Sequence, residues 1–208
     1  MFAVTLAAGQ QQPEQDIMAR LLPDENPHRV VKVDPAQRDE VVKELRAAQK
    51  TATGARAVEI AFLLAAFDAN YAKNRDYLID NLRGCTTSAV KSGCDGNIAE
   101  YLLALYEQGH KDVLKPLMLI GKDSYSAAGA VSLGRFLSSL IADDAAEFFD
   151  AIRRLPAETQ SQLCDLAGMG YGDGLPADRL QRILKELKAR GDEVSLTCLQ
   201  AIEAASKQ

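Results

Sequence analysis

The sequence contains only two histidines, His28 and His110, and no tryptophan. Neither histidine belongs to an HExxH motif or has a second histidine at helical spacing, which argues against a zinc hydrolase. No serine lies in the GxSxG context that follows a strand in serine hydrolases. We therefore predict no catalytic residue, no metal ligand and no cofactor. His110, which directly follows Gly109, is interpreted as a polar turn residue or a cation near a helix end.

Long hydrophobic runs and basic runs are missing as well. The longest apolar stretch, Ile60 to Phe67, is much shorter than the roughly 20 residues of a membrane span, so it predicts a buried helix and no membrane span. The formal net charge is −5, and lysines and arginines form no face-long run. Because binding through phosphates needs a basic stripe, we predict no nucleic-acid partner.

Helical patterns fill most of the chain. Aromatic residues make up only 6% while alanine and leucine are abundant, which suits helices packed closely on helices. In the stretch 97–120, Asn97 and Glu100 have the spacing of a capping box, and apolar residues then follow at helical spacing. Gly109 ends this helix because glycine tolerates the left-handed conformation. A second apolar set begins at Val113, so the two helices must fold back as an antiparallel pair.

The same helix pair recurs along the sequence. Its apolar residues reappear 35 places later, where Phe136-Leu137 corresponds to Tyr101-Leu102 and Phe148-Phe149 corresponds to Val113-Leu114. An earlier run, residues 62–67, matches residues 101–106 in the same way. Helix pairs at such a period are typical of helical solenoids. Over residues 56–155 the chain resembles HEAT-like repeats and the broader α-α superhelix architecture. We expect an all-α fold of about nine to ten helices, and the resemblance implies antiparallel pairs stacked into a short α-solenoid.

The chain is divided at residue 33. Residues 34–208 are predicted to form a single helical repeat-like domain, and residues 1–33 an N-terminal segment. Residues 2–9 are apolar and end in small residues before Gln10, like the tail of a secretory signal, although a basic start is missing. A short piece of buried helix is the other interpretation of residues 2–9.

Two further features of the N-terminal segment are expected. The spacing of Ile17, Leu21 and Leu22 predicts a short helix before a proline. Residues 27–33 are the only stretch with strand character, and without a partner strand they are expected to lie on the helices as extended chain. The alternative is that they pair with residues 2–6.

The four cysteines are the sharpest local feature. Cys85 and Cys94 lie where we expect helix to have stopped, at about Arg83, and their spacing does not match a zinc-binding CxxC pair. We predict a Cys85–Cys94 disulfide if the protein is exported. Cys164 and Cys198 lie on apolar helix faces, where each is either a small buried hydrophobe or part of a second disulfide between neighbouring helices.

The run Gly168 to Gly174 contains four glycines. Glycines before a helix can hold a phosphate, but the usual strand before such a loop is missing here and a helix stands in its place. We therefore favour a flexible interhelical loop over a ligand or partner loop.

Two classes of function are consistent with the sequence. The first is a non-catalytic helical repeat module that binds another polypeptide, exported to the periplasm or secreted, with the cytoplasm as the alternative location. Tyr71, Tyr125 and Tyr171 are its candidate contacts, because each lies at a helix end or connection and tyrosine offers large contact area with a polar tip. The second is an enzyme, or an accessory domain of one, with an unrecognised acidic site. An open groove favours the first class, and a deep closed pocket with convergent polar groups favours the second.

Overall fold

A computed structural model describes residues 14–87, 97–119, 127–170 and 177–206. These residues form an all-α protein with no strand among them, as the sequence predicts. Eleven α-helices lie in the described ranges. They are α1 (Glu14–Leu21), α2 (Pro35–Gln49), α3 (Gly54–Ala66), α4 (Tyr71–Thr87), α5 (Asn97–Glu107), α6 (Leu114–Leu119), α7 (Ala127–Asp143), α8 (Ala145–Ile152), α9 (Ala157–Met169), α10 (Ala177–Arg190) and α11 (Glu193–Ala205).

Several helices begin where the sequence places a capping residue. The Asp34 side chain accepts a hydrogen bond from the backbone N–H of Ala36, and Pro35 is the first residue of α2. Asp144 caps α8 by accepting a hydrogen bond from the backbone N–H of Glu147. These contacts satisfy amide groups that have no partner inside the helix.

The end of α5 has the geometry that Gly109 predicts. Gly109 has a φ of +105°, and its N–H donates to the carbonyl of Tyr106. The N–H of His110 donates to the carbonyl of Leu105, which completes a Schellman motif. A 3-10 turn, Lys111–Val113, then leads directly into α6.

Alternate helices of the chain are neighbours in space. Helix α3 packs on α5, α5 on α7, α7 on α9 and α9 on α11. The aromatic rings of Phe62 and Tyr101, which occupy corresponding positions in α3 and α5, stack with centroids 4.7 Å apart. Tyr106 of α5 meets Phe136 of α7 edge to face at 4.9 Å. The interactions that connect one helix pair to the next are therefore largely apolar.

Helix α3 forms the centre of the core. Ile60, Ala61, Phe62, Leu63, Leu64 and Ala65 are all at most 1% exposed. The stretch from Ile60 to Phe67, predicted as a buried helix, is therefore fully covered as far as Ala65, since a helix with almost no polar face must be covered on several sides. No helix among the described residues is both long and apolar enough to cross a membrane.

The N-terminal segment takes part in this core. The predicted short helix is present as α1, and Ile17, Leu21 and Leu22 are buried in the common hydrophobic cluster. After two 3-10 turns, Pro23–Glu25 and Pro27–Arg29, residues 30–33 have no regular secondary structure. The alternative pairing with residues 2–6 lies outside the described residues.

The glycine run is only partly a loop, so our interpretation of it needs correction. Gly168 lies inside α9 and Gly170 directly after it. A Cβ on Gly170 would lie 2.1 Å from the carbonyl carbon of Gly134 in α7, and one on Gly134 would lie 2.3 Å from the carbonyl oxygen of Leu166. These glycines are therefore needed for the close approach of α7 and α9. Residues 171–174 lie outside the described residues.

The disulfide between Cys164 and Cys198 is present. It joins α9 to α11, with 4.4 Å between the two Cα atoms, and both residues are fully buried. The predicted helix end near Arg83 is wrong, because α4 continues to Thr87 and includes Cys85. Cys94 lies outside the described residues, so the Cys85–Cys94 disulfide stays a prediction.

Candidate functional site

An open groove of about 710 Å³ lies between α2 and the turn that joins α3 to α4. We call it the α2 groove. It is lined by Arg38, Asp39, Val42, Lys43, Arg46, Ala47, Lys50, Phe67, Asp68 and Ala69. Most of these residues are exposed, whereas Val42 and Phe67 are half-buried and form an apolar floor.

The α2 groove is lined by more cations than carboxylates of α2, with Asp39 as the acidic residue of the helix on that side. Lys43, Arg46 and Lys50 recur at i, i+3 and i+7 and face the α2 groove. Glu40 and Glu44 line a different hollow on the other side of the helix, where Glu44 pairs with a guanidinium nitrogen of Arg20 at 3.4 Å.

The three basic side chains that face the groove have no ion-pair partner in the described part of the chain. No carboxylate oxygen there lies within 4.0 Å of the charged nitrogens of Lys43, Arg46 or Lys50. By contrast, Arg38 at the other end of the groove pairs with Asp68 at 3.3 Å. One end of the groove is therefore neutralised, while the end near Lys50 carries uncompensated positive charge.

The turn opposite α2 is held in an uncommon conformation. Asp68 and Asn70 have φ values of +53° and +54°, in the left-handed region. The buried side chain of Asn74 donates to the carbonyl of Ala69 at 2.7 Å and accepts from the amide of Gln49 at 3.1 Å. These hydrogen bonds connect the turn to the end of α2 and so fix the width of the groove.

Arg38 fixes the same turn from the other wall. Its guanidinium donates to the carbonyl oxygen of Phe67 at 2.5 Å as well as to the Asp68 carboxylate. A guanidinium can serve both acceptors because its donors form a planar fork. Arg38 is thus a structural part of the wall, and its charge is neutralised by Asp68.

A second cluster adjoins the groove beyond the turn. We call Tyr71, Arg75, His110 and Asp112 the Tyr71 cluster. The Tyr71 hydroxyl donates to Asp112 at 2.6 Å, and its ring stacks on the His110 ring with centroids 4.1 Å apart. Arg75 pairs with the same Asp112 carboxylate and lies over the Tyr71 ring. His110 approaches Asp68 at 3.6 Å, which connects the cluster to the groove.

Burial and hydrogen bonding set the protonation of this cluster. Burial raises the pKa of the Tyr71 hydroxyl, and the hydrogen bond to Asp112 raises it further. For Asp112, burial acts to raise the pKa, but the hydrogen bonds from Tyr71 and Arg75 outweigh it and hold the pKa below its usual value. The carboxylate is therefore charged and the phenol neutral near neutral pH, so the cluster is a fixed network of hydrogen bonds.

The three tyrosines predicted as partner contacts are not equally placed. Tyr71 lies in the cluster just described, whereas Tyr125 and Tyr171 lie outside the described residues. Tyr77, six residues further along α4, is 41% exposed. Sequence reasoning missed the basic side of α2, although the i, i+3, i+7 spacing of its three cations was a readable signal.

A third polar cluster joins the N-terminal segment to α5. His28 contacts Glu107 through Nδ1 at 2.8 Å and Glu100 through Nε2 at 3.1 Å. The hydrogen bond to Glu100 is the largest cause that raises the pKa of His28 to about 9, followed among the raising causes by the bond to Glu107. At neutral pH both ring nitrogens then donate to carboxylates. The imidazole has no free lone pair for general-base chemistry and serves as a cationic clamp.

The cluster of His28, Glu100 and Glu107 does not have the geometry of a metal site. The two carboxylates bind opposite nitrogens of the imidazole ring, so the three side chains do not converge on one point. Nowhere in the described ranges do three or more His, Cys, Asp or Glu side chains form a group that could hold a metal ion.

The chain was compared with protein-family models, with curated proteins and with solved structures. No family model, no curated protein and no solved structure matches it.

Proposed function

We propose that this chain is a non-catalytic module that binds another polypeptide, with the α2 groove and the adjoining Tyr71 cluster as its contact surface. The observation that carries the proposal is the groove itself, which is open, has an apolar floor and is lined by three cations, Lys43, Arg46 and Lys50, that have no ion-pair partner among the residues that the structure describes. Exposed charge beside apolar surface is the composition of a polar rim around an interface core.

The architecture is consistent with such a role. In our proposal the helix pairs stack as a short HEAT-like α-solenoid. The order of contacts supports this, because α3, α5, α7, α9 and α11 each pack on the next member of the row. A stack of this kind exposes an extended surface beyond what its core requires, and solenoids commonly bind proteins with it.

The alternative, an enzyme with an acidic site, has less support. Its best candidate is the hollow of about 270 Å³ beside His28, Glu100 and Glu107. Both nitrogens of His28 are engaged by carboxylates, so the imidazole offers no general base, and Glu100 and Glu107 are both held in hydrogen bonds to it. The groove, not this hollow, holds the uncompensated charge that a partner can satisfy.

We also propose that the protein is exported to the periplasm or secreted. The buried Cys164–Cys198 disulfide supports this location, since disulfides persist mainly in oxidising compartments. Thiol counting on denatured, unreduced protein from its own compartment should find fewer than four free thiols. Finding all four thiols free would remove the proposal of export and leave the cytoplasm as the alternative.

The binding proposal is tested by cross-linking. A photoreactive amino acid is placed at position 47 in the α2 groove, where it replaces no cation, and, as a control, at position 185 on the exposed side of α10. Reaction with polypeptides of the native host should give discrete adducts from position 47 only. Adding Tyr71→Ala should weaken them, whereas Tyr77→Ala, which changes an exposed tyrosine on the same helix, should not. Equal adducts from positions 47 and 185, or turnover of a small substrate by the purified protein, would overturn the proposal.

A further inference from the structure

The cations of the α2 groove define the chemistry of its occupant. We infer that the groove binds an acidic segment of the partner polypeptide, with carboxylates on Lys43, Arg46 and Lys50 and apolar side chains on the floor. This inference rests on the proposed function and specifies the partner that the function requires.

The charge of the groove differs in sign from that of the whole protein. The chain has a formal net charge of −5, yet the groove is lined by four basic side chains against the two acidic side chains Asp39 and Asp68. Arg38 is neutralised by Asp68, so the remaining positive charge is concentrated toward Lys50. A local positive patch on an acidic protein attracts anionic ligands.

The spacing of the three cations matches that of side chains on one face of a ligand helix. Lys43 and Lys50 are separated by about 10 Å along the helix axis, with Arg46 between them, because each residue of an α-helix rises about 1.5 Å. Carboxylates at i, i+3 and i+7 of a ligand helix have the same separation. The guanidinium of Arg46 can hold a carboxylate with two parallel hydrogen bonds.

The groove combines cations with carboxylates and an apolar floor, and this mixture discriminates between classes of anion. A nucleic acid carries a charge on every nucleotide, so a strand lying along the groove would place phosphates beside Asp39 and Asp68. An acidic peptide can place carboxylates only where the cations are. It can also place apolar side chains on Val42 and Phe67, which are half-buried and pack against the core. The mixed lining therefore favours a peptide over a polyphosphate.

The test uses the full chain and a fluorescent synthetic helical peptide with glutamates at i, i+3 and i+7 and leucines beside them. Fluorescence anisotropy should show binding that weakens as salt is added, since exposed charges are screened. The variant Lys43→Glu/Arg46→Glu/Lys50→Glu should lose about tenfold or more in affinity, because exposed pairs contribute modestly and three of them are reversed together. Lys185→Glu, an exposed lysine on α10, makes the same type of change away from the groove and should leave the affinity unchanged.

Three results would overturn the inference. They are equal affinity for a peptide with glutamine in place of glutamate, equal affinity of the triple variant, and tighter binding of a single-stranded oligonucleotide. Circular dichroism of the triple variant checks that it folds, which is expected because the three side chains are exposed. If host polypeptides still cross-link at the groove after the three charges are reversed, the proposed function stands and only the acidic partner is wrong. If no cross-link forms with wild-type cations, the function itself fails.

Discussion

The close contact between α7 and α9 gives a sharp test of the fold. A Cβ on Gly134 would lie 2.3 Å from the carbonyl oxygen of Leu166 and 2.9 Å from the amide nitrogen of Gly170. Since non-bonded carbon contacts are favourable only near 3.5 Å, Gly134→Ala forces the two helices apart by about 1 Å. The obstructing atoms are backbone atoms, so no side chain can rotate away to relieve the clash.

The magnitude follows from three contributions. Overpacking against backbone costs up to about 3 kcal/mol. Separation of the helices also breaks the hydrogen bond from the buried Ser138 hydroxyl to the carbonyl of Ala167, which is 2.6 Å long, and this adds about 1 kcal/mol. Replacing a helical glycine by alanine stabilises the helix itself by about 1 kcal/mol, which offsets part of this loss. We expect Gly134→Ala to lower the free energy of unfolding by about 3 kcal/mol.

Urea unfolding followed by far-UV circular dichroism measures this change. Gly168→Ala is the matched control on the α9–α11 contact, where the nearest atom to the added Cβ is the carbonyl oxygen of Ala201 at 2.9 Å. It should be destabilising by less than Gly134→Ala, because the approach is less close. If Gly134→Ala unfolds at the same or a higher urea concentration than wild type, it behaves as an exposed helical glycine would, and the packing of α7 on α9 is refuted.

Three further predictions concern stability. The double variant Cys164→Ala/Cys198→Ala should have a free energy of unfolding about 3–4 kcal/mol lower than that of the oxidised wild type, because the disulfide closes a loop with a sequence separation of 34. Equal midpoints of urea unfolding would contradict this. Leu102→Ala, at 0% exposure, should cost about 2–5 kcal/mol by the same assay, and a loss below 1 kcal/mol would show that its site is not tightly packed. His28→Gln should cost about 1 kcal/mol at pH 6 after allowance for solvent exposure. The raised pKa of His28 stabilises the folded state fully below about pH 6.5, and this stabilisation is lost as the pH rises through about 9. The free energies of unfolding of the variant and the wild type should therefore become equal by pH 10. A difference that stays constant with pH would refute the role of protonated His28.

Much of the fold could be predicted because its signals are local. Asp34-Pro35, Asp144 with Glu147, and Gly109 each specify a helix end through the hydrogen bonds of one or two residues. The nearly all-apolar α3 could be assigned to the centre of the core from its own composition.

The glycines at the end of α9 could not be interpreted in this way. Their role depends on Gly134, which lies in another helix and comes close only after the chain has folded. Glycine clusters are typical of loops when only neighbouring residues are considered, so the local pattern pointed away from a helix contact.

The candidate site was predictable only in part for the same reason. Tyr71 was identified from its position at a helix start, but its partners His110 and Asp112 come from a turn about forty residues later. The cations of α2 were visible in the sequence. That they face a groove, while Glu44 on the same helix is paired with Arg20, depends on how α1 and the α3–α4 turn pack around α2.

The account's central claim, that a polypeptide binds along the basic side of α2, is tested most directly by lysine labelling of the wild-type protein. Acetylation rates of Lys43 and Lys50, read by mass spectrometry, are compared with and without the cross-linking partner, and the exposed Lys185 serves as internal reference. The account predicts that the partner slows acetylation of Lys43 and Lys50 severalfold while the rate at Lys185 is unchanged. Unchanged rates at Lys43 and Lys50 under conditions where the partner is bound would contradict it.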